Sequence, residues 1–360
     1  MKIDFVIGSL RGGGAERVVS TLANYLVSKQ YEVRIITFSN GDAYNLNPKV
    51  KRIRLHQSVP FYNKALTRGL VNLLKFYRKK YNRPDIISSH IHQMGLITIP
   101  IAKLYGMKII VSEHNNHIAS KDIPLVPFLW RNFYPLADAI TILTNYDWDF
   151  FKSKNKIVEI MPNPASFDKI VPSKKIERKD VILAIGDLNK YHHKGFDNLI
   201  KIMDNLLDKH PTWELHFIGD GLEGKEVIDK MILNSKIKSQ IKFKGFRNDV
   251  DVLMKEASIF ILPSRWEGLP MVLIEAASQG MCCIAYDCIS GPSDIIINSR
   301  TGILVENQNI KKMKIELENL LLDKDKRDEL GYNAINSVEK FSINNVGERW
   351  ITLIKKINLK

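Results

Sequence analysis

The feature that most constrains this 360-residue chain is a strand–helix alternation that runs through its first half and then begins again. Short β-branched runs at 3–7, 33–38, 86–88, 108–112 and 139–143 read as strands. Between the first two, residues 15–29 place Val18, Val19, Leu22, Leu26 and Val27 at a helical period. This order predicts a parallel sheet wrapped by helices, because parallel neighbours need a crossover and a helix supplies one. The grammar restarts with strands at 181–185, 214–218, 241–243, 259–262 and 283–286 and a helix at 196–207. Met161-Pro162-Asn163-Pro164 through Pro172, with the charged run 174–180, reads as a linker. The expectation is two Rossmann-like α/β domains facing a central cleft, 1–172 and 173–342. The amphipathic segment in 343–360, with Val346, Trp350, Ile351, Leu353 and Ile354, has no following strand and is expected to cross back to the first domain.

Composition removes several alternatives. With 45% hydrophobic and 26% charged residues the chain has the balance of a soluble globular protein. Its longest apolar run, 94–102, falls far short of the roughly 20 residues that span a bilayer. Asp4 interrupts the N-terminal run, which reads as a first strand rather than a signal peptide and points to the cytoplasm. Cys282, Cys283 and Cys288 are an odd number in an apolar stretch, so they read as small core residues and not as a disulfide framework or a zinc site.

The net charge of +14 is unevenly placed: residues 1–170 carry +12 of it. Between Asp42 and Asp85 there are eleven basic residues and no acid. Within that block, residues 64–81 interleave Leu66, Leu70, Leu73, Leu74, Phe76 and Tyr77 with Arg68, Lys75, Arg78, Lys79 and Lys80, from Lys64 onward. The pattern fits a helix on an anionic membrane surface, so 49–83 is the expected membrane contact; a solvated basic face is the competing account. No nucleic-acid-binding module accompanies the charge, and no nucleic-acid partner is expected.

The chemistry concentrates after the strand at 259–262. There, Pro263-Ser264-Arg265-Trp266-Glu267-Gly268-Leu269-Pro270 leads into a helix at 271–279 that Gly280 stops. Pro270 suits a first helical position, and the amides of residues 268–272 form a helix start of the kind that binds phosphate. Glu267 precedes this helix and Glu275 lies inside it, so one ligand can meet both carboxylates, for instance through a ribose diol and a sugar. The bland alternative is a helix-dipole partner and a solvated surface glutamate. In the first half, Gly8-Ser9-Leu10-Arg11-Gly12-Gly13-Gly14 joins strand to helix. Gly13 and Gly14 there let backbone amides approach a ligand, although neither a dinucleotide fingerprint nor a P-loop is present. His114 follows the strand at 108–112, at a carboxyl edge, whereas His90, His92 and His117 read as surface or supporting residues. Asp249-Val250-Asp251 and Asp147-Trp148-Asp149 are acidic triplets not directly preceded by a hydrophobic strand, and neither is expected to hold a metal.

Glu267, seven residues, then Glu275, within P-S-R-W-E-G-L-P-M-V-L-I-E-A, resembles the signature of retaining glycosyltransferase family 4, which has the GT-B fold. Gly12-Gly13-Gly14-Ala15-Glu16-Arg17, the segment from Lys194-Gly195 through Ile200, Gly219-Asp220-Gly221, Gly245-Phe246 and Gly291-Pro292-Ser293-Asp294 follow the family's order as well. The resemblance implies that Glu267 contacts the donor sugar, Glu275 holds the nucleotide ribose, and Lys194 neutralises the departing diphosphate. It places Gly245, Phe246 and Arg247 beside the base, Gly268 and Leu269 at the donor, and His114 at the donor sugar or acceptor. One departure stands out: Asp187 follows Gly186 where the family has arginine, leaving Lys190 or Lys194 to supply positive charge. The implied activity is metal-independent transfer of a hexose or N-acetylhexosamine from a nucleoside diphosphate, UDP above all. The implied acceptor is a growing, lipid-linked bacterial polysaccharide or oligosaccharide at the inner face of the cell membrane, with no cofactor beyond the nucleotide sugar. A nucleotide-sugar epimerase or hydrolase on the same fold, or a non-catalytic nucleotide-binding or membrane-surface module, are the alternatives.

Overall fold

The computed structural model describes residues 1–58, 65–171 and 177–359. Lys64 of the basic segment and residues 172–176 of the expected linker lie outside the described residues. The chain divides into two compact units, Met1–Ser166 with Phe341–Lys360, and Phe167–Lys340.

The first unit holds β1 (Lys2–Val6), α1 (Gly14–Ser28), β2 (Glu32–Thr37), β3 (Lys51–Arg54), α2 (Ala65–Arg78), β4 (Ile86–His90), α3 (His92–Tyr105), β5 (Lys108–Ser112), α4 (His117–Ser120), α5 (Val126–Asn132), β6 (Ala139–Ile142), α6 (Trp148–Lys152) and β7 (Val158–Ile160). Among the described residues its sheet runs β3-β2-β1-β4-β5-β6-β7, parallel throughout. The central strands are nearly continuous buried runs, as expected for strands covered on both faces.

β3 and β7 are absent from the sequence expectation. β3 is Lys-Arg-Ile-Arg at the sheet edge, a segment that reads as charge; there Arg52 and Arg54 both pair with Asp42, and Lys51 pairs with Glu32. One polar cluster lies inside the unit. The buried Asp4 carboxylate of β1 accepts two bonds of 2.6 Å from Arg34 of β2 and one of 2.6 Å from the Tyr77 hydroxyl of α2. Burial outweighs these partners and raises the Asp4 carboxyl above its ordinary range.

The second unit holds β8 (Lys179–Ile185), α7 (Phe196–Leu207), β9 (Glu214–Ile218), α8 (Leu222–Met231), β10 (Ile241–Phe243), α9 (Val250–Glu256), β11 (Ala257–Leu262), α10 (Met271–Ser278), β12 (Cys282–Asp287), α11 (Pro292–Ile295), β13 (Ile303–Glu306), α12 (Ile310–Leu322) and α13 (Lys324–Ser337). Its parallel sheet runs β10-β9-β8-β11-β12-β13, the same winding as the first. Cys282, Cys283 and Cys288 are buried free thiols; burial pushes Cys282 and Cys288 up to about 12, so they are inert core residues. The last helix, α14 (Ile343–Asn358), packs against α1 of the first unit, where Glu348 meets the Tyr25 hydroxyl at 2.8 Å and Lys29 at 2.9 Å.

Both sheets reverse winding direction at their centres, between β1 and β4 and between β8 and β11. Loops leaving the two central strands diverge there, opening a crevice at their carboxyl ends where α/β folds bind ligands.

Candidate active site

In the second unit the loops after β8 and β11 meet at this switch point. Lys194 Nζ lies 2.8 Å from Glu267 Oε1, and the Ser264 hydroxyl donates to the same oxygen at 2.7 Å. Burial alone would raise the Glu267 carboxyl, but the Lys194 ammonium and the Ser264 hydroxyl outweigh it and hold the group below its ordinary range. Glu267 is therefore an acceptor at neutral pH and not a proton donor.

The approach depends on Gly195, which has φ +70°; a Cβ there would lie 1.9 Å from the Pro263 carbonyl oxygen. Arg265 fixes the loops further with two bonds of 2.8 Å to Asp197 and another to the His192 carbonyl. His193 stacks on Trp266 with centroids 4.4 Å apart and contacts its carbonyl at 2.9 Å. Ser264, Arg265, Asp197 and His193 have no role in the sequence-based expectation, although Ser264 and Arg265 lie just ahead of Glu267 in the segment that carries it. An ion pair between residues 68 positions apart has no local signature.

Glu275 is buried, at 1% exposure, within α10. Pro270 is the residue preceding that helix and not its first member, with φ −70° and ψ 104°; its carbonyl accepts from Leu273 and Ile274. The amides of Met271 and Val272 thus lie in the first turn, where a helix offers no internal acceptor. Leu269 is buried. The Gly268 carbonyl accepts from the Ser290 hydroxyl at 2.9 Å. Asp294 turns back to accept from the Gly291 amide at 3.2 Å, closing its own short helix.

Gly245 and Phe246 are tied to the Gly219-Asp220 turn: the Gly219 amide donates to the Gly245 carbonyl, and the Phe246 amide to Asp220 Oδ1, both at 2.9 Å. This leaves the Phe246 ring 62% exposed. Arg247 is engaged by Asp249 through bonds of 2.8 and 2.6 Å. Asp187 accepts from the Asn189 amide at 3.0 Å and so caps the turn that presents Lys190, whose ammonium lies 3.9 Å from it.

In the first unit, Gly13 is pinned by Tyr44, whose hydroxyl accepts from the Gly13 amide and donates to its carbonyl, each at 2.9 Å. That amide is already partnered, and Gly14 opens α1. His114 emerges after β5 beside His90, with His90 Nδ1 and His114 Nε2 2.9 Å apart. His90 is wholly buried and His92 nearly so, which corrects the surface alternative for both. Glu113 turns inward to Trp130 at 3.2 Å and to the Tyr134 hydroxyl. The acidic triplets are engaged locally: Asp249 holds Arg247, and Asp147 accepts from the His117 amide at 2.8 Å and its ring at 2.7 Å.

The basic helix needs a correction. Leu73 and Tyr77 of α2 are buried in the domain core, with Leu70, Leu74 and Phe76 packed against it, so its apolar face is covered by its own unit. Lys75, Arg78, Lys79 and Lys80 remain exposed. Among the described residues, no helix is long and apolar enough to cross a membrane.

Two successive Rossmann-like units, the second carrying a lysine–glutamate pair at its switch point, define the GT-B class of sugar-transferring enzymes. The comparisons agree: residues 12–166 match the model described as Glycosyltransferase Family 4 and residues 166–337 the model described as Glycosyl transferases group 1. The chain belongs to this glycosyltransferase family. It is 33% identical, over 99% of both chains, to a Campylobacter jejuni α-1,4-N-acetyl-D-galactosaminyltransferase whose name specifies an undecaprenyl-diphosphate-linked acceptor. It is 24% identical to the Escherichia coli UDP-Gal:α-D-GlcNAc-diphosphoundecaprenol α-1,3-galactosyltransferase, covering 91% of this chain and 92% of that one. Sucrose-phosphate synthase from Thermosynechococcus elongatus superposes with a TM-score of 0.81 at 16% identity, over 99% of this chain and 98% of that one, and shares the fold.

Proposed function

We propose that this glycosyltransferase moves an N-acetylhexosamine or hexose from UDP to a hydroxyl of a lipid-linked oligosaccharide with retention at the anomeric carbon. The observation that carries the reading is the Lys194–Glu267 pair at the β8/β11 switch point. In this reading the second unit is the donor domain. The Lys194 ammonium, with Lys190 and the first-turn amides of α10, takes up charge on the departing diphosphate, so no metal ion is required. The ionised Glu267 accepts from a sugar hydroxyl and Glu275 from the ribose. A leaving phosphate oxygen receives the acceptor's hydroxyl proton, and positioning with charge stabilisation supplies the rate.

The first unit is the acceptor side, and the two relatives acting on undecaprenyl-diphosphate-linked sugars support a lipid-linked acceptor. Its outer helices suit the cytoplasmic membrane face: α2, α3 and α5 are neighbours that contain no acidic residue, and they expose Lys75, Arg78, Lys103 and Arg131 along with Leu104 and Phe128. Docking there is electrostatic with a few apolar contacts, not an insertion of the apolar face of α2.

The test is a thermal-shift panel of UDP, GDP and ADP with their sugars, followed by product analysis with UDP-N-acetylgalactosamine and a short-chain polyprenyl-diphosphate disaccharide, with and without EDTA. A shift with UDP compounds and an α-linked, EDTA-insensitive product support the reading. Acceptor-independent UDP release or sugar isomerisation at the full rate would replace it with a hydrolase or epimerase.

A further inference from the structure

The His90–His114 contact is not explained by packing alone. His90 lies at the end of β4, fully buried, with its ring stacked on Trp350 of α14 (centroids 6.1 Å, 26°) and against Phe5 of β1 at 5.3 Å. Its two ring nitrogens have different partners: Nε2 lies 2.9 Å from the Ser88 hydroxyl, and Nδ1 lies 2.9 Å from His114 Nε2. His114 Nδ1 is buried and has no hydrogen-bond partner among the described residues.

Hydrogen bookkeeping assigns the protons. The Ser88 hydroxyl is 1% exposed, and His90 is its partner among the described residues. If His90 Nε2 carried the proton, the serine hydrogen would be left buried with no acceptor, at a cost of about 1–3 kcal/mol. Ser88 therefore donates to His90 Nε2, and a neutral His90 carries its hydrogen on Nδ1. That hydrogen points to His114 Nε2, which must accept. The one remaining proton of a neutral His114 is then on Nδ1, the atom without a protein partner.

We infer that Ser88 and His90 are positioning residues that hold His114 in its Nδ1-protonated form, so that His114 donates a hydrogen bond to an oxygen of the bound sugar or acceptor and does not act as a base. This rests on the reading that places His114 in the site. Burial favours the neutral rings the inference needs, pushing His114 down to about 4 and His90 well below the ordinary histidine value. Trp350 and Phe5 fix the plane of His90, which gives the returning α14 a part in orienting a group at the far end of β5.

The protein labelled with ¹⁵N-histidine reports the tautomer directly, because pyrrole-type and pyridine-type nitrogens have well-separated shifts; His114→Ala assigns the signals. The expected result is Nδ1–H on His114 in the wild type. In His90→Phe, which keeps an aromatic ring between Phe5 and Trp350, and in the milder Ser88→Ala, His114 should become a tautomer mixture. In both variants kcat for transfer from UDP-N-acetylgalactosamine should fall by about tenfold with little change in KM. His114 bearing its proton on Nε2 in the wild type overturns the inference. So does a loss of turnover in His90→Phe and Ser88→Ala with the His114 tautomer unchanged. Full activity in His114→Ala would instead remove His114 from the site, a distinct failure that leaves the tautomer result standing.

Discussion

The Lys194 ammonium and the Glu267 carboxylate lie 2.8 Å apart with side chains only 18% and 9% exposed. A pair this enclosed is unequal in its mutational costs. Lys194→Met leaves a buried carboxylate without its counter-charge and should cost about 3 kcal/mol. Adding Glu267→Gln to it should restore part of that loss, because the charge is gone. Urea unfolding of the four proteins gives the coupling energy directly. In turnover no such rescue is expected: either single change should lower kcat by about 10²–10³, the usual effect of removing one group that stabilises transition-state charge.

The same pair sets an acid limit. Glu267 has its folded pKa lowered from 4.5, so its stabilising contribution is complete above that value and is lost as pH falls through the lowered folded value. Glu267→Gln should flatten the acid limb of a stability–pH curve below about pH 4.5. An unchanged limb would mean the pair does not form.

Gly195 and Gly106 share nearly the same backbone, with φ of +70° and +67°, but not the same surroundings. A Cβ at Gly195 would meet the Pro263 carbonyl oxygen at 1.9 Å, whereas at Gly106 nothing lies within 4 Å. Gly106→Ala should therefore cost only the left-handed conformation, about 1–2 kcal/mol. Gly195→Ala should cost at least about 3 kcal/mol and separate Lys194 from Glu267, with transfer falling alongside stability. Thermal unfolding and donor affinity of the two variants, compared side by side, check the difference.

His114 gives the same pH direction as Glu267 for a different reason: burial favours its neutral form, whereas Glu267 is held ionised by Lys194 and Ser264. Its folded pKa is lowered from 6.5 to about 4, so between these values the unfolded chain binds a proton that the folded one does not. Stability should rise with pH across this window, with His114 contributing a slope of at most about 1.4 kcal/mol per pH unit, and level off above 6.5. His114→Gln should reduce the slope; an identical slope would place the titration elsewhere.

What the sequence made legible follows from how each feature is encoded. The strands at 108–112, 214–218 and 241–243 coincide with β5, β9 and β10, because strands of a covered parallel sheet are written as short β-branched runs. The edge strand β3 carries no such mark: Lys-Arg-Ile-Arg reads as charge, and Asp42 and Glu32 balance it there. Lys194 and Glu267 were legible through their motifs. The pairing of His90 with His114 was not, since parallel strands bring residues 24 apart into contact without a local pattern. Amphipathy in α2 was read correctly as a helix with one apolar face, but a periodic pattern alone does not distinguish a protein core from a bilayer.

With the apolar face of α2 spent on the core, the proposed membrane docking rests on its exposed charges. Electrostatic attraction of this kind weakens steeply with salt, since the screening length falls from about 10 Å at 0.1 M to about 3 Å at 1 M. The triple variant Lys75→Glu, Arg78→Glu, Lys79→Glu should lower partitioning onto vesicles containing phosphatidylglycerol by at least tenfold at 0.1 M salt. Neither protein should bind pure phosphatidylcholine appreciably. These side chains point into solvent and away from the Leu73 and Tyr77 contacts, so the variant should melt like the wild type and keep its UDP response. Co-sedimentation at two salt concentrations decides the matter: salt-independent binding that survives the triple reversal would transfer the docking role to apolar side chains such as Phe128 and Leu104.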